Sequence, residues 1–231
     1  MRCFLINGTS VRGCSYNIKE IFLDELKADE LVEIYLPKDG PDFCLGCKLC
    51  FNEGEDKCPH YDKMGYIWDE LKKADLIVFV YPVYVMRAPG QVKTLLDHLG
   101  VHWFAHRPEK MLFDKKAAII TQSIGAPNGP AQKDVKTSLE WMGISDIHTL
   151  GHGLNEGVIW NELSEKKRTS IEKKTRMFAR KVRDSNRTGM KLKVKFYNLI
   201  TRAMQRGQRK KLKQGQKPSL DLQHWIDNEL I

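Results

Sequence analysis

The chain has 231 residues, of which 42% are hydrophobic and 29% are charged, a composition typical of folded globular proteins and not of disordered or fibrous ones. No apolar run reaches the roughly 18 residues that a membrane-spanning helix needs. The N-terminal residues leave no room for a signal peptide, so we expect a cytoplasmic protein. The six cysteines are too few for a disulfide scaffold in a chain of this length, which favours metal or redox chemistry for the four that cluster.

The net charge of +9 is distributed unevenly along the chain. Residues 164–217 contain 20 basic and 3 acidic residues, a balance of +17, whereas the remainder carries a balance of −8. An acidic body is therefore followed by a strongly basic C-terminal segment. We expect the body to span residues 1–155 and a basic helical extension to span residues 156–231.

Short apolar runs alternate with amphipathic stretches through the body. The runs are rich in Ile, Val, Leu and Phe, as buried strands are, and cover Arg2–Asn7, Leu31–Leu36, Asp75–Tyr81, Lys116–Thr121 and Ile144–Leu150. Helices are predicted between them at Asn17–Lys27, Met64–Lys73, Pro89–Leu99 and Gly129–Met142. This alternation predicts an α/β fold, a three-layer sandwich with a five-stranded parallel sheet between helices.

After residue 156 the pattern becomes helical. The sequence predicts a long polar helix over Asn161–Asn186, with Ser164 as a weak N-cap, and a second helix from about Lys193. Arg206–Lys217 is basic and rich in glutamine, and we expect it to be a loose connection. A last helix is predicted over Leu220–Leu230, with Ser219 as its N-cap.

The first predicted strand ends in a loop rich in glycine and hydroxyl residues, Gly8–Asn17, which leads into a helix. Unpaired N–H groups at a helix start and the helix dipole favour an anion there. Thr9 and Ser15 offer hydroxyl groups to a phosphate, and Arg12 offers positive charge. The loop is neither a P-loop nor a GxGxxG motif, and an ordinary turn capped by Ser15 is the alternative.

A second loop follows the third predicted strand, over Tyr81–Lys93. In open parallel sheets, ligands bind beyond the C-terminal strand ends where the strand order reverses. For the order 2-1-3-4-5 this point lies between strands one and three. The two loops then flank one crevice, and strand four ends beside them at Thr121–Ala126.

Three blocks carry a resemblance to a known family. Asn7–Asn17 is similar to NGSPRxxGNT, Tyr81–His98 is similar to SPVYWxxxSGQLKxxIDR, and a cysteine block closes on Asp62-Lys63-Met64, where the family has DDM. Since the blocks occur in order, residues 1–155 resemble the flavodoxin-like NAD(P)H-dependent FMN reductases and the related iron–sulfur flavoproteins. Val11 stands where that family commonly has an arginine.

The resemblance implies bound FMN, NAD(P)H as electron donor, and a quinone-like, flavin or protein acceptor. The implied phosphate site comprises Thr9, Arg12, Ser15, Tyr16 and Asn17. The implied ring site comprises Pro82, Val83, Tyr84, Val85 and Met86, with Gln122, Ser123 and Gly125 nearby. Tyr84 either contacts the ring or is an ordinary core aromatic. The flavin accepts hydride itself, so no catalytic acid or base is assigned, and a homo-oligomer, dimer or tetramer, is expected.

Four cysteines, Cys44, Cys47, Cys50 and Cys58, follow the second predicted strand with gaps of two, two and seven residues. Thiolates at this spacing can surround one cubane cluster, and in the resembling iron–sulfur flavoproteins a similar block holds [4Fe–4S]. Zinc bound by four thiolates and free thiols in a structural loop stay open. Without a cluster, the protein is expected to be a two-electron reductase.

The basic C-terminal segment has three interpretations. Helices that pack on the acidic body or on a partner subunit are favoured. Peripheral attachment to an anionic membrane surface through Phe196, Leu199, Ile200 and Met204 comes next. Nucleic-acid binding is favoured least, because aromatic residues are sparse and no motif is present. A non-enzymatic electron carrier or redox sensor is the rival to an enzyme.

Overall fold

One parallel sheet organises the protein in a computed structural model that describes residues 1–186 and 189–231. The strands are β1 (Arg2–Asn7), β2 (Glu30–Tyr35), β3 (Leu76–Pro82), β4 (Lys116–Ser123) and β5 (Asp146–Gly153). Their order is β2-β1-β3-β4-β5, and every neighbouring pair is parallel. The predicted order 2-1-3-4-5 is confirmed. β4 and β5 run two to three residues past their predicted ends.

Eight α-helices accompany the sheet in the described residues. They are α1 (Cys14–Leu26), α2 (Leu49–Asn52), α3 (Tyr61–Lys73), α4 (Gly90–Leu99), α5 (Gly129–Trp141), α6 (Glu165–Asp184), α7 (Leu192–Lys211) and α8 (Leu220–Asp227). Single 3-10 turns lie at Glu55–Lys57, Gly100–His102, Lys110–Leu112 and Trp160–Glu162. Within the described residues, no helix combines the length and apolar character needed to cross a membrane.

The two faces of the sheet are covered by two separate apolar clusters. Side chains alternate along a strand, so Phe79 of β3 joins the cluster with α3, α4 and α5, while Val78 joins the one with α1 and α6. Every residue of β3 is buried, as expected for a central strand covered on both sides. This is the predicted three-layer sandwich.

Helix α6 belongs to the core of the body. Phe178 packs its ring 5.9 Å from that of Phe22 in α1, and Arg176 and Arg180 pair with Glu25 of the same helix. For α6, packing on the acidic body is therefore what the structure shows. The division of the chain near residue 155 stays a prediction.

Helix α7 differs from its predicted extent. The segment Arg206–Lys211 continues the helix instead of forming a loose connection, because Arg, Gln and Lys all have high helix propensity. Two predicted N-caps are confirmed. The Ser164 Oγ accepts from the Lys167 N–H at 3.3 Å, and the Ser219 Oγ accepts from the Leu222 N–H at 3.3 Å.

Candidate functional site

A cavity of about 300 Å³ lies at the C-terminal ends of β1, β3 and β4. Its size falls at the lower end of the range for small-molecule sites. It occupies the predicted reversal point of strand order, between β1 and β3. Its walls are formed by Thr9, Val11, Gly13, Cys14, Ser15, Pro82, Val83, Tyr84, Gln122, Ser123, Ile124 and Val158.

At the start of α1, Ser15 lines this cavity. Ser15 is only 6% exposed, and its Oγ has no hydrogen-bond partner among the described residues. The N-cap position is Gly13, which makes no side-chain cap bond, so the interpretation as a turn capped by Ser15 is wrong. A buried hydroxyl that lacks a partner at a helix N-terminus is well suited to bind an anion.

The loop before α1 is fixed by close packing at Gly8. The Gly8 N–H donates to the Val80 carbonyl at 2.8 Å, and the Gln91 Nε2 donates to the Gly8 carbonyl at 2.7 Å. A Cβ atom at position 8 would lie 2.5 Å from the Tyr81 Cβ. Beyond it, the Thr9 Oγ1 accepts from the Val11 N–H at 3.2 Å. The loop therefore holds Thr9 at the cavity wall in a set conformation.

The loop after β3 reverses sharply at Val85 and Met86, whose φ values of 48° and 62° are both positive. The Tyr84 and Arg87 backbones exchange hydrogen bonds of 3.0 and 2.9 Å across this turn. Arg87 in turn pairs with Asp134 of α5 at 3.1 Å. Tyr84 is half-exposed and lines the cavity, so the alternative of a core aromatic is wrong.

At the end of β4, Gln122 brings an amide group to the cavity. Its side chain is 7% exposed, and its Oε1 has no hydrogen-bond partner among the described residues. The neighbouring Ser123 is already engaged, since its Oγ donates to the Ala126 carbonyl at 2.5 Å. Gln122 is thus the polar group of this strand that is available to a ligand.

The structure brings together about half of the predicted cofactor residues. On the wall are Thr9, Ser15, Pro82, Val83, Tyr84, Gln122 and Ser123. Off the wall are Arg12, Tyr16, Asn17, Val85, Met86 and Gly125. The Arg12 guanidinium lies over the Tyr16 ring, 5.3 Å from its centroid, and the Asn17 amide donates to the Gly13 carbonyl at 3.0 Å.

Sequence reasoning missed Val11, Gly13, Cys14, Ile124 and Val158 on the wall. Val158 comes from the connection between β5 and α6, and its carbonyl accepts from the Cys14 N–H at 3.3 Å. The apolar run Val158-Ile159-Trp160 between the polar residues Asn155-Glu156 and Asn161-Glu162 was the available signal. This segment closes the side of the cavity next to the start of α1.

The donors and surfaces of this cavity fit a phosphorylated aromatic cofactor such as FMN. The Ser15 hydroxyl and the helix N-terminus suit a phosphate, while Pro82, Val83 and Tyr84 form a platform for a flat ring. The unpaired Gln122 amide suits a polar ring edge, since ligand sites combine apolar walls with a few placed polar groups.

All four clustered cysteines border a second, smaller cavity of about 60 Å³, together with His98. The Cys58 Sγ lies 3.8 Å from the His98 Nδ1. Burial raises the pKa of the Cys50 thiol, and the neighbouring Cys58 and Cys44 raise it further. Within residues 1–186 and 189–231, no three His, Cys, Asp or Glu side chains are arranged to hold a metal ion. The thiols are adjacent without forming a ligand cage.

Arg107 anchors the loop that carries these cysteines. Its buried guanidinium donates to the Cys50 carbonyl and, through Nε, to the Glu55 Oε1 at 2.8 Å. Its Nη1 donates to the Asp221 Oδ1 of α8 at 2.7 Å. The cysteine loop is therefore tied to the C-terminal helix through one side chain.

Comparisons with known proteins agree with this geometry. Residues 1–155 match the sequence model of a family described as NADPH-dependent FMN reductase. An iron-sulfur flavoprotein of Methanosarcina thermophila is 28% identical over 123 residues, which are 53% of this chain and 61% of that protein. An FMN-dependent NADH:quinone oxidoreductase of Bacillus licheniformis is 29% identical over 194 residues, covering 69% of this chain and 92% of the relative.

Among solved structures, the NAD(P)H:quinone oxidoreductase from Methanothermobacter marburgensis has a similar fold. Its TM-score to this chain is 0.61 at 14% sequence identity, and the alignment covers 81% of this chain and 99% of that one. At this identity the similarity concerns the fold alone, which is flavodoxin-like.

Proposed function

Because the chain belongs to the NADPH-dependent FMN reductase family, we propose that it binds FMN in the cavity between β1, β3 and β4 and oxidises NAD(P)H. One observation carries the proposal. The two buried polar atoms Ser15 Oγ and Gln122 Oε1 have no partner among the described residues, and both residues line this cavity. Buried polar groups are almost always paired, so both are suited to a ligand.

The chain's own residues bind and orient the cofactor in this proposal. Thr9, Ser15 and the first turn of α1 hold the phosphate, with Arg12, Tyr16 and Asn17 close behind in sequence. Pro82, Val83 and Tyr84 support the ring, Val85 and Met86 form the turn beside it, and Gln122, Ser123 and Gly125 follow its edge. When bound, FMN supplies the hydride-accepting chemistry.

Uptake of FMN tests this site. The protein freed of flavin is titrated with FMN while flavin fluorescence is followed, and Ser15→Ala is expected to bind about 10-fold or more weakly, since a hydrogen bond to a charged group contributes about 1.5–3 kcal/mol. Ser10→Ala is the matched control, because Ser10 lies in the same loop but off the cavity wall. A protein that takes up no FMN, or equal losses in both variants, would contradict the proposal.

Turnover distinguishes an enzyme from an electron carrier. We expect the FMN-loaded protein to consume NADH or NADPH continuously with a quinone as acceptor, because the Bacillus licheniformis relative is named as an NADH:quinone oxidoreductase. If the consumption of both NADH and NADPH stops after one equivalent per flavin, the protein is a non-enzymatic electron carrier or redox sensor. The same assay with free flavin and a protein acceptor defines the acceptor class.

We further propose that Cys44, Cys47, Cys50 and Cys58 hold a [4Fe–4S] cluster. Support comes from four thiols that border one cavity and from a relative named as an iron-sulfur flavoprotein. A cluster takes one electron at a time, which would let the protein deliver single electrons to an acceptor.

Anaerobic purification and absorption spectroscopy test the cluster. A broad band near the flavin bands that dithionite bleaches is expected in the wild type and in Cys3→Ala, whose cysteine lies in the buried core. Cys58→Ser is expected to lose the band and the iron while it retains FMN. Zinc, or no metal, in the wild type would refute the cluster.

Two features of the whole protein complete the proposal: a cytoplasmic location, and assembly as a homodimer or homotetramer. Analytical ultracentrifugation of the FMN-loaded protein measures the assembly, and a monomer at micromolar concentration would contradict it.

A further inference from the structure

Helix α7 packs on the body through one face only. Val194, Thr201 and Gln205 are buried on that face, and the Gln205 Nε2 donates to the Ala105 carbonyl at 3.3 Å. The Tyr197 ring stacks on Trp141 of α5 with 4.4 Å between centroids and 6° between planes. The helix therefore has a fixed orientation, and its opposite face points outward.

The outward face of α7 is apolar. Its large side chains recur at the three- and four-residue spacing that places residues on one side of a helix, and they are Leu192, Phe196, Leu199, Ile200 and Met204, exposed by 43% to 86%. Monomeric soluble proteins seldom expose a continuous row of large apolar side chains, and such rows mark interaction sites.

Basic residues border this apolar row along one edge. Positions 195, 202 and 206 place Lys195, Arg202 and Arg206 there, while Lys210 and Lys211 follow the row at the C-terminal end of the helix. The sequence contains no Asp or Glu between Asp184 and Asp221. Among the described residues, Lys193, which contacts Glu140 at 2.6 Å, is the one basic residue of α7 that pairs with a carboxylate.

Unpaired basic side chains are not a general feature of the basic helices that pack on the acidic body, as helix α6 shows. Two of its arginines, Arg176 and Arg180, contact carboxylates of α1, so that helix uses its charge within the fold. Most basic side chains of α7 are left facing solvent beside an apolar row.

We propose that the outer face of α7 binds the surface of an anionic phospholipid membrane. A helix with an apolar face and basic flanks lies in the interface plane, with its apolar side chains among the acyl chains and its cations at the headgroups. A second copy of the same face is disfavoured as occupant, because it would bring two basic borders together. The negative charge of an anionic bilayer complements the basic side chains beside the apolar row.

Vesicle co-sedimentation with the full-length protein tests the inference. The probes are vesicles of phosphatidylcholine alone and vesicles with one third phosphatidylglycerol. We expect binding to the anionic vesicles, at least tenfold weaker binding to the neutral ones, and loss of binding as salt rises to 0.5 M.

Matched variants locate the binding face. Phe196→Glu is expected to weaken binding to anionic vesicles at least tenfold, whereas Met177→Glu, an equal change at an exposed position of α6, is expected to alter it less than Phe196→Glu. Lys195→Gln with Arg206→Gln should weaken binding about 25-fold, because each basic residue near such a surface contributes about fivefold. Thermal unfolding confirms that each variant is folded.

Equal binding to both vesicle types, or equal losses in the Phe196 and Met177 variants, would overturn the proposal. So would a wild-type protein that ignores vesicles but self-associates in a manner that Phe196→Glu abolishes, since this result identifies a second copy as the occupant. FMN binding by Phe196→Glu is expected to match the wild type, which separates this outcome from failure of the proposed function.

Discussion

The Arg107 guanidinium and the Asp221 carboxylate meet 2.7 Å apart, although 114 residues separate them in sequence. The same carboxylate accepts from the His106 Nδ1 at 2.8 Å. The buried Trp225 adds a hydrogen bond of 2.7 Å from its Nε1 to the His106 carbonyl. Helix α8 is thereby attached to the segment that also supports the cysteine loop.

This contact predicts that the C-terminal helix stabilises the cysteine loop. Asp221→Asn removes the charge opposite a buried guanidinium, and we expect it to lower the free energy of unfolding by about 2–3 kcal/mol. Urea denaturation measures this loss. Alkylation of Cys50 in the metal-free protein, followed by peptide mass spectrometry, should become faster.

The control is Asp227→Asn, because Asp227 lies on the same helix but is exposed, and its carboxylate accepts from Gln223 alone among the described residues, at 2.6 Å. We expect a change within about 0.5 kcal/mol. Equal losses in both variants would show that α8 contributes through its packing alone.

Gly8 offers a test of the loop before α1. A Cβ atom there would lie 2.5 Å from the Tyr81 Cβ and 2.7 Å from the Val92 Cγ2, so Gly8→Ala should displace the loop. We expect a loss of about 1–3 kcal/mol of stability together with weaker FMN binding. Denaturation and flavin titration measure the two effects.

Gly90→Ala serves as the comparison, since among the described residues no atom outside the adjoining residues and the helix's own backbone lies within 4 Å of a Cβ atom at that position. Alanine is the better helix former at the start of α4, and the variant should be unchanged or up to about 1 kcal/mol more stable. A harmless Gly8→Ala would mean that the loop adapts more freely than its packing indicates.

His152 predicts a defined loss of stability in acid. Burial, together with the positive charges of Lys174 and Lys167, lowers its pKa to about 4, while its Nε2 lies 3.1 Å from the Thr175 Oγ1. Below pH 6.5 the imidazole takes up a proton in the unfolded chain but not in the folded one. The free energy of unfolding therefore falls as pH falls from 6.5 towards 4, by about 1.4 kcal/mol per pH unit.

Urea denaturation at several pH values compares the wild type with His152→Gln. The variant lacks this group, so its stability should decline less steeply between pH 6.5 and 4, whereas the two slopes should agree above pH 7.5. If the free energies of unfolding of the two proteins decline in parallel throughout the acid range, a group other than His152 causes the loss of stability.

The stacked pair Trp141 and Tyr197 predicts how firmly α7 is attached. Tyr197→Ala removes the ring that lies 4.4 Å from Trp141, and we expect a loss of about 2–3 kcal/mol with a change in tryptophan fluorescence. The neighbouring Phe196 is on the outer face and exposed, so Phe196→Ala should cost less than about 0.5 kcal/mol. The reverse ranking would mean that α7 packs through its other face.

Features that depend on nearby residues were readable from the sequence alone. The apolar run Leu76–Pro82 forms a strand because β-branched and aromatic residues suit a buried sheet, and Ser219 caps α8 through a residue three positions away. The phosphate-type loop, the cysteine spacing and the uneven charge are equally local. The alternation of apolar runs and helices predicted the parallel sheet, and the loops after the first and third strands predicted the location of the cavity.

The tertiary structure alone decided which side chains are free and which are used. The sequence left open that Ser15 caps the turn, yet its hydroxyl is unpaired among the described residues because the N-cap of α1 is Gly13. Val158 reaches the cavity, and Asp221 reaches Arg107, only because the chain folds back over long sequence separations. Periodicity showed that α7 is amphipathic, but Trp141 determined which face it buries, because packing against a particular neighbour is not encoded in any local pattern.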